Sequence, residues 1–409
     1  MAKIAILGFG TVGSGVLEVL RRNAQAIRRR AGEPIEVKYI LDIRDFSAHP
    51  DAALFVNNID IILNDPEIKA VVETIGGTRF AYSYVKAALG SGRSVATSNK
   101  EMVAAHGAEL LTLAKQNGAA FLFEASVGGG TPVITPMHQC LAANVITGVQ
   151  GIVNGTTNFI LTQMADGRME FDAALALAQQ LGYAETRDPS DDIDGIDACR
   201  KTAILASLAF GRQVHPQNIP TRGIRGVAAQ DIAAAKALGC AVKLIAWARQ
   251  DEHQNISAGV EPMLVPASSR LYGVDDVFNG VLVTGDMLGE VLFYGKGAGR
   301  LPTASAVAAD VIEALKRGAQ VHDTLFWQPA DPAPGPLTDP APAAYYVRVC
   351  GLAPEALPAV YGPGQALDVQ GQGAAYLAQS LTAGQLYAAQ QSVEAQGGRV
   401  ALVLRQMQP

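Results

Sequence analysis

Two lysines and one acid–base pair are the residues of this sequence best suited to moving a proton. Asp197 and Lys201 stand four apart in the stretch Ile196–Phe210, whose apolar spacing predicts a helix. At that spacing the carboxylate and the amine share a face, so the one can orient the other. A surface ion pair has the same spacing and is the plain alternative. Lys100 closes the run Thr97-Ser98-Asn99-Lys100. Lysine can exchange a proton near neutrality once burial or a nearby cation lowers its pKa. Interconverting an alcohol and an aldehyde needs one such group together with a hydride acceptor.

Gly8, Gly10 and Gly13 spell G-x-G-x-x-G between an apolar run, Lys3–Leu7, and a helical pattern, Val12, Val16, Val19, Leu20 and Ile27. In that context the first glycine allows a tight turn, the second lets backbone approach a pyrophosphate, and the third lets helix and strand pack closely. The helix N-terminus, at Thr11 and Val12, then faces the phosphates. Dinucleotide binding is expected, with a purely structural turn as the alternative. After the second apolar run, Ile35–Leu41, come Asp42 and Arg44. Asp42 suits a ribose 2′-hydroxyl and hence NAD; Arg44 suits a 2′-phosphate and hence NADP. The choice stays open, and Arg44 is equally well read as a solvated loop charge.

These residues need a scaffold. Strand-like runs at Ala70–Ile75, Ser94–Thr97 and Ala119–Phe123 alternate with helical stretches near Tyr82–Leu89 and Ala108–Gln116, which predicts an α/β fold with a Rossmann-type, doubly wound parallel sheet. After Gly128-Gly129-Gly130 the pattern changes to strands at Val145–Val153 and Val281–Thr284 and helices at Phe171–Leu181, Ile196–Phe210 and Ala228–Arg249, a second, α+β domain. A helix over Thr303–Arg317 is placed to return to the first domain. The segment PADPAPGPLTDPAP, 329–342, reads as a stiff linker. Beyond it, runs at Ala344–Val349, Pro354–Tyr361, Ala366–Val369, Tyr376–Leu381, Leu386–Ala395 and Val400–Leu404 give β-α-β-β-α-β, a small ferredoxin-like, ACT-like regulatory domain. The expected organisation is a dinucleotide domain, 1–130 plus about 300–328; a substrate and dimerisation domain, 131–299; the linker, 329–342; and the tail, 343–409.

Composition narrows the function classes. Across 409 residues, 49% are apolar and 17% charged, with a net charge of −6, so nucleic acid is not an expected partner. No run is long and apolar enough to span a membrane, and a cytoplasmic protein is expected. Cys140, Cys199, Cys240 and Cys350 are widely spaced and read as buried, reduced thiols, and the six histidines never fall four apart. Neither a disulfide framework nor a transition-metal site is expected.

Several motifs stand in series: Glu73-Thr74-Ile75-Gly76-Gly77, TSNK at 97–100, EASVGGGTPVI at 124–134, NGTTN at 154–158, GYAETRDPSDDIDGIDACRKTAIL at 182–205 and GAGRLPTASAVAAD at 297–310. Over about residues 1–320 the chain resembles the homoserine dehydrogenases. The resemblance implies NAD(P)-dependent hydride transfer between L-homoserine and L-aspartate 4-semialdehyde in threonine, methionine and isoleucine biosynthesis, with a lean toward NADP. It casts Lys201 and Lys100 as catalytic and Asp197 as the partner of Lys201. Gly155 and Thr156 would hold the substrate carboxylate, Glu185 and Asp192 its ammonium, and Tyr183 would line the pocket. Helix capping is the alternative for the acidic stretch around Asp188, Ser190 and Asp191. Gly8, Gly10, Thr11, Val12, Gly13, Arg44, Thr74, Ile75, Gly76, Ser98, Lys100 and Gly297 would line the dinucleotide. Backbone oxygens of Glu124, Val127, Gly129 and Thr131 would surround a sodium ion, against the simpler reading of a hinge. A homodimer through the sheet of the middle domain, or a homotetramer, is implied.

Two departures from the family pattern stand out. Thr186-Arg187 separate Glu185 from Asp188-Pro189 where the family usually has one residue, and Lys296 stands where it usually has proline. A thioester-forming semialdehyde dehydrogenase would need an activated cysteine. Cys199 is two residues from Lys201 on a helix, about 160° out of alignment. A dinucleotide-sensing regulator would keep the glycine turn but has no need for two lysines and three carboxylates around a pocket.

Overall fold

The computed structural model describes residues 1–167, 169–369 and 373–408, which form two compact units. The first contains Met1–Thr147, Ala203–Pro216 and Val283–Pro332; the second contains Gly148–Thr202, Gln217–Leu282 and Ala333–Pro409. Among the described residues no helix is long and apolar enough to cross a membrane.

The first unit is built on six strands: β1 (Ala2–Leu7), β2 (Ile35–Leu41), β3 (Phe55–Val56), β4 (Ile68–Glu73), β5 (Ser94–Thr97) and β6 (Phe121–Leu122). They lie in the order β3-β2-β1-β4-β5-β6, all parallel. The order reverses between β1 and β4, and a doubly wound sheet binds its ligand at such a switch point, beyond the carboxyl ends of the strands. Ile4, Ile6, Val72 and Ala96 from the sheet are buried against Val16, Leu17 and Leu20 of the helix Thr11–Arg22 and Val307 and Val311 of the helix Arg300–Arg317. The returning helix anticipated from the sequence is therefore part of this core. The helical pattern that runs from Val12 to Ile27 is carried by two helices, broken at Asn23 before Ala24–Ala31.

A second sheet has nine strands: β7 (Ile146–Ile152), β8 (Cys240–Gln250), β9 (Ile256–Pro266), β10 (Phe278–Gly285), β11 (Gly289–Lys296), β12 (Ala343–Cys350), β13 (Gly364–Leu367), β14 (Ala374–Leu381) and β15 (Arg399–Gln406). Their order is β11-β10-β7-β8-β9-β15-β12-β14-β13. The helix expected over Ala228–Arg249 is corrected: it ends at Ala237, and after Gly239, left-handed at φ +69°, the chain becomes β8. Nearly every residue of β8 is buried on both faces, so its apolar run lacks the alternation that marks a half-exposed strand.

Strands β12 to β15 and the helices Leu357–Tyr361 and Ala383–Ala395 give the anticipated β-α-β-β-α-β tail, packed around Val347, Tyr361, Tyr376, Val393 and Val403. The tail is not set apart. β15 pairs in parallel with β9 through Arg405–Met263 and Gln406–Leu264. Buried Asp231, on the helix Ala229–Ala237, accepts hydrogen bonds from Tyr346 Oη (2.7 Å) and Arg348 Nε (2.8 Å).

The segment expected as a stiff linker, 329–342, is packed against the second unit over 333–342. Leu337 donates to Asn218 O and accepts from Ala258 N, both at 2.8 Å. Asn218 Nδ2 donates to the carbonyls of Ala333 and Gly335, and buried Asp339 pairs with both Arg249 and Arg405. Residues 333–342 are thus a docked strap, held by backbone and side-chain partners distant in sequence. The cysteine expectation also changes: Cys199 and Cys240 are buried, but Cys140 is exposed and Cys350 half-buried.

Candidate active site

In the first unit the glycine turn has the geometry its spacing implies. Gly8 sits at φ +87°, and a Cβ there would lie 2.9 Å from Thr74 O. A Cβ on Gly13 would come within 2.0 Å of Gly8 O, so only glycine allows this helix-to-strand contact; a Cβ on Gly10 would meet nothing within 4 Å. Thr74 ties the turn to β4: its Oγ1 donates to Leu7 O (3.0 Å) and Gly8 O (2.8 Å). The helix beginning at Thr11 has no side-chain cap and no acid in its first turn, leaving its N-terminal dipole for an anion.

Asp42 accepts from Phe9 N at 2.7 Å and pairs with Arg44 through Nε (2.9 Å) and Nη2 (2.7 Å). The Arg44 guanidinium holds the Asp42 carboxyl well below the usual carboxylate range, and Asp42 raises Arg44 in turn. Arg44 is exposed and lies 5.1 Å from the centre of the Phe46 ring.

Glu73 is wholly buried at the end of β4. Ile75 N (2.7 Å) and Thr97 Oγ1 (2.5 Å) donate to its carboxyl, whose pKa burial nevertheless raises. Asn99 Nδ2 donates to Gly77 O, and Asn99 Oδ1 caps the helix Lys100–Gln116 by accepting from Met102 N. Ser98 and Lys100 are thereby fixed at the mouth of β5, Lys100 in the first helical position.

In the glycine loop, the Glu124 carboxylate accepts from the amides of Val133 (2.6 Å), Ile134 (2.9 Å) and Thr135 (2.7 Å). Its side chain is committed to holding the loop. A Cβ on Gly128 would fall 2.0 Å from Thr131 O, and one on Gly129 would fall 2.2 Å from Gly297 O, so carbonyl groups crowd where side chains cannot fit.

In the second unit, Lys201 is buried within the helix Ile196–Phe210. Its Nζ lies 2.7 Å from Asp197 Oδ2 and donates to Val153 O at 2.8 Å. Asn154 Nδ2 bridges the two acids, donating to Asp192 Oδ1 (2.7 Å) and Asp197 Oδ2 (2.9 Å). Asn154 also caps the helix Gly155–Gly167, its Oδ1 accepting from Thr157 N at 2.9 Å. Thr156 Oγ1 donates to Tyr183 O at 2.7 Å, and the Tyr183 ring packs edge-on against Phe159. These contacts gather Asp192, Asp197, Lys201, Thr156 and Tyr183 around one helix start. Glu185 is exposed and outside this hydrogen-bonded group, its carbonyl accepting from Gln179 Nε2. Cys199 is buried, and burial pushes its thiol up, the reverse of what a thioester-forming nucleophile needs.

Sequence reasoning quotes Glu73, Asn99 and Asn154 within motifs without a role, and names Val153 only as the end of a strand. Asn154 was within reach, since asparagine just before a helix is a capping signal. The Val153 carbonyl carried no signal, because backbone acceptors are invisible in residue type.

Family models agree with the geometry. Residues 8–124 match the homoserine dehydrogenase NAD-binding domain and residues 132–312 match homoserine dehydrogenase. The chain is 43% identical over 316 residues to the homoserine dehydrogenase of Synechocystis sp., covering 76% of this chain and 72% of that one. It is 40% identical over 358 residues to that of Pseudomonas aeruginosa, covering 85% and 81%. A homoserine dehydrogenase crystal structure from Thiobacillus denitrificans superposes with a TM-score of 0.89 at 36% identity, over 99% of this chain and 98% of that one. A hyperthermophilic archaeal homoserine dehydrogenase mutant in complex with NADPH does so with a TM-score of 0.66 at 31% identity, over 76% and 97%. The chain belongs to the homoserine dehydrogenase family and is an oxidoreductase with that family's NAD-binding domain.

Proposed function

We propose that Lys201 exchanges the proton with the substrate oxygen as L-homoserine and L-aspartate 4-semialdehyde interconvert. The observation that carries this reading is a buried ammonium held by one carboxylate and one carbonyl, Asp197 and Val153. These two contacts fix where the ammonium sits at the start of the helix Gly155–Gly167. Asp192 receives the substrate ammonium, with Glu185 as a second acid at the pocket edge. The amides of Gly155-Thr156, at a helix N-terminus, receive the carboxylate, joined by the Thr156 hydroxyl once it turns from Tyr183 O. Lys100 orients the substrate oxygen or shares the proton.

When bound, NADP or NAD supplies or takes up the hydride. The residues present suit it: an uncapped helix start, open space above Gly10, and Asp42 beside Arg44 for either ribose form. Thr11, Val12, Thr74, Ile75, Gly76, Ser98 and Gly297 complete the proposed lining, and NADP is the favoured partner. For sodium, the crowded carbonyls of Val127, Gly129 and Thr131 with that of Glu124 are the proposed ligands. Among the described residues no group of three His, Cys, Asp or Glu could hold a metal, so such an ion would rest on backbone oxygen. A cytoplasmic homodimer in amino-acid biosynthesis, formed through the second sheet, completes the reading. Exposed Met287 and half-exposed Tyr294, flanking and within β11, support that surface.

Steady-state rates with homoserine and each dinucleotide test the reading. Turnover that Lys201→Ala removes, in protein that still binds reduced dinucleotide, is the expected result. A Lys201→Ala enzyme keeping more than about a tenth of wild-type kcat, the lower edge of what a positioned acid or base contributes, passes the role to Lys100.

A further inference from the structure

The second unit holds another buried lysine that this mechanism does not use. Lys243, on β8, is 3% exposed. Its ammonium donates to Val274 O (2.7 Å), Asp275 Oδ1 (2.6 Å) and Asn158 Oδ1 (3.3 Å), one acceptor for each proton. Burying an ammonium is costly, and here burial lowers its pKa against the pull of Asp275.

What the lysine joins is specific. Asn158 lies one turn into the helix Gly155–Gly167, and its Nδ2 donates to Val274 O (3.0 Å) and Phe278 O (3.2 Å). One turn further, Thr162 Oγ1 accepts from Asp276 N at 3.0 Å, with Asp276 in the left-handed region at φ +58°. The segment Val274–Phe278 is therefore clamped along the helix. At the helix start it comes so close that a Cβ on Gly155 would lie 2.8 Å from Val277 O.

We infer that Lys243 is a positioning residue for substrate binding: it holds the 274–278 segment against the helix Gly155–Gly167 and so fixes the Gly155-Thr156 turn that receives the substrate carboxylate. The inference rests on that assignment of Gly155-Thr156. Without the ammonium, Asn158 Oδ1, Val274 O and Asp275 lose their common donor, the segment relaxes, and the turn loses its fixed position. Lys201 keeps its ion pair with Asp197 on the helix Ile196–Phe210, so KM for homoserine should respond more strongly than kcat.

Lys243→Met keeps the length of the stem and removes the three donors. It should raise KM for homoserine by about ten- to a hundredfold, the scale of an ångström of misplacement, with a smaller fall in kcat and the dinucleotide KM within about twofold. It should also narrow the preference for homoserine over 3-aminopropan-1-ol, which lacks the carboxylate. Unchanged KM and preference in a variant that is merely less heat-stable overturns the inference. If Lys243→Met does not fold, Asp275→Ala decides in its place, because this exposed carboxylate touches the clamp from outside. A rise in homoserine KM of a few-fold supports the inference, and no rise overturns it. Thr156→Val tests the underlying assignment: if it leaves the preference unchanged, the carboxylate site is wrong, whatever Lys243 does.

Discussion

The glycine turn of the first unit and the Lys201 cluster of the second, each proposed above to hold a charged ligand, are built by opposite means. At Gly8, Gly10 and Gly13 the binding groups are backbone amides and a helix end, and the sequence acts by leaving side chains out. At Lys201, Asp197, Asp192 and Asn154 the groups are side chains, each fixed by another. The first arrangement is sensitive to added atoms and indifferent to charge. The second is sensitive to any change of charge and tolerates little change of donor geometry.

Replacing Lys201 by arginine should break the second site most severely. Guanidinium cannot readily release a proton near neutral pH, so kcat should fall by about 10²–10⁴, as for alanine, while dinucleotide affinity persists. A Lys201→Arg enzyme with near-normal kcat would mean that charge alone matters there. The mirror experiment is Gly13→Ala. The added methyl would meet Gly8 O at 2.0 Å, and overpacking of this kind costs about 1–3 kcal/mol. The dinucleotide KM should rise by about tenfold or more, with homoserine KM little changed. An equal rise in both would erase the distinction between the two sites.

Smaller effects sharpen the contrast. Arg44→Ala should raise KM for NADP by about tenfold and leave NAD nearly unchanged, since one exposed charge-assisted contact is lost. Equal effects on both dinucleotides would make Arg44 a surface charge. Acid should also separate the units. His138, buried in the first, is pushed down from 6.5 to about 4 by burial, so it stays neutral in the folded chain where the unfolded chain takes up a proton. Its contribution is therefore intact above pH 6.5 and erodes as pH falls toward 4, by at most about 1.4 kcal/mol per pH unit. Trp327 reports the first unit and Trp247 the second. The Trp327 signal should show this slope, and His138→Gln should flatten it.

How much of this was legible depends on whether the determinant was a residue type or an environment. The glycine turn, the parallel sheet and the Asp197–Lys201 pair were readable because spacing alone fixes turn, period and face. β8 was misread as a helix because both faces are buried and its pattern carries no period. Asp192 was placed by resemblance, but its tie to Asp197 runs through Asn154, 38 residues upstream of Asp192, and no local rule connects them. Glu185 matched a motif yet lies outside the hydrogen-bonded group, behind the two residues that separate it from Asp188-Pro189.

The docked strap at 333–342 has a further consequence, which lies in the unfolded chain. With prolines at 334, 336, 340 and 342, the segment has little backbone freedom to lose, so ordering it along the second unit costs less entropy than ordering a glycine-rich connector of equal length. Proline also lacks an amide proton, so few donors remain that need a partner. Leu337, bonded on both sides, sets the register for the whole segment. Lengthening the segment by a single residue would displace Asp339 from its two arginines. The connector therefore works as a ruler whose length is part of how the tail is seated, and homologues with tails of other origin would be expected to replace the strap and tail together.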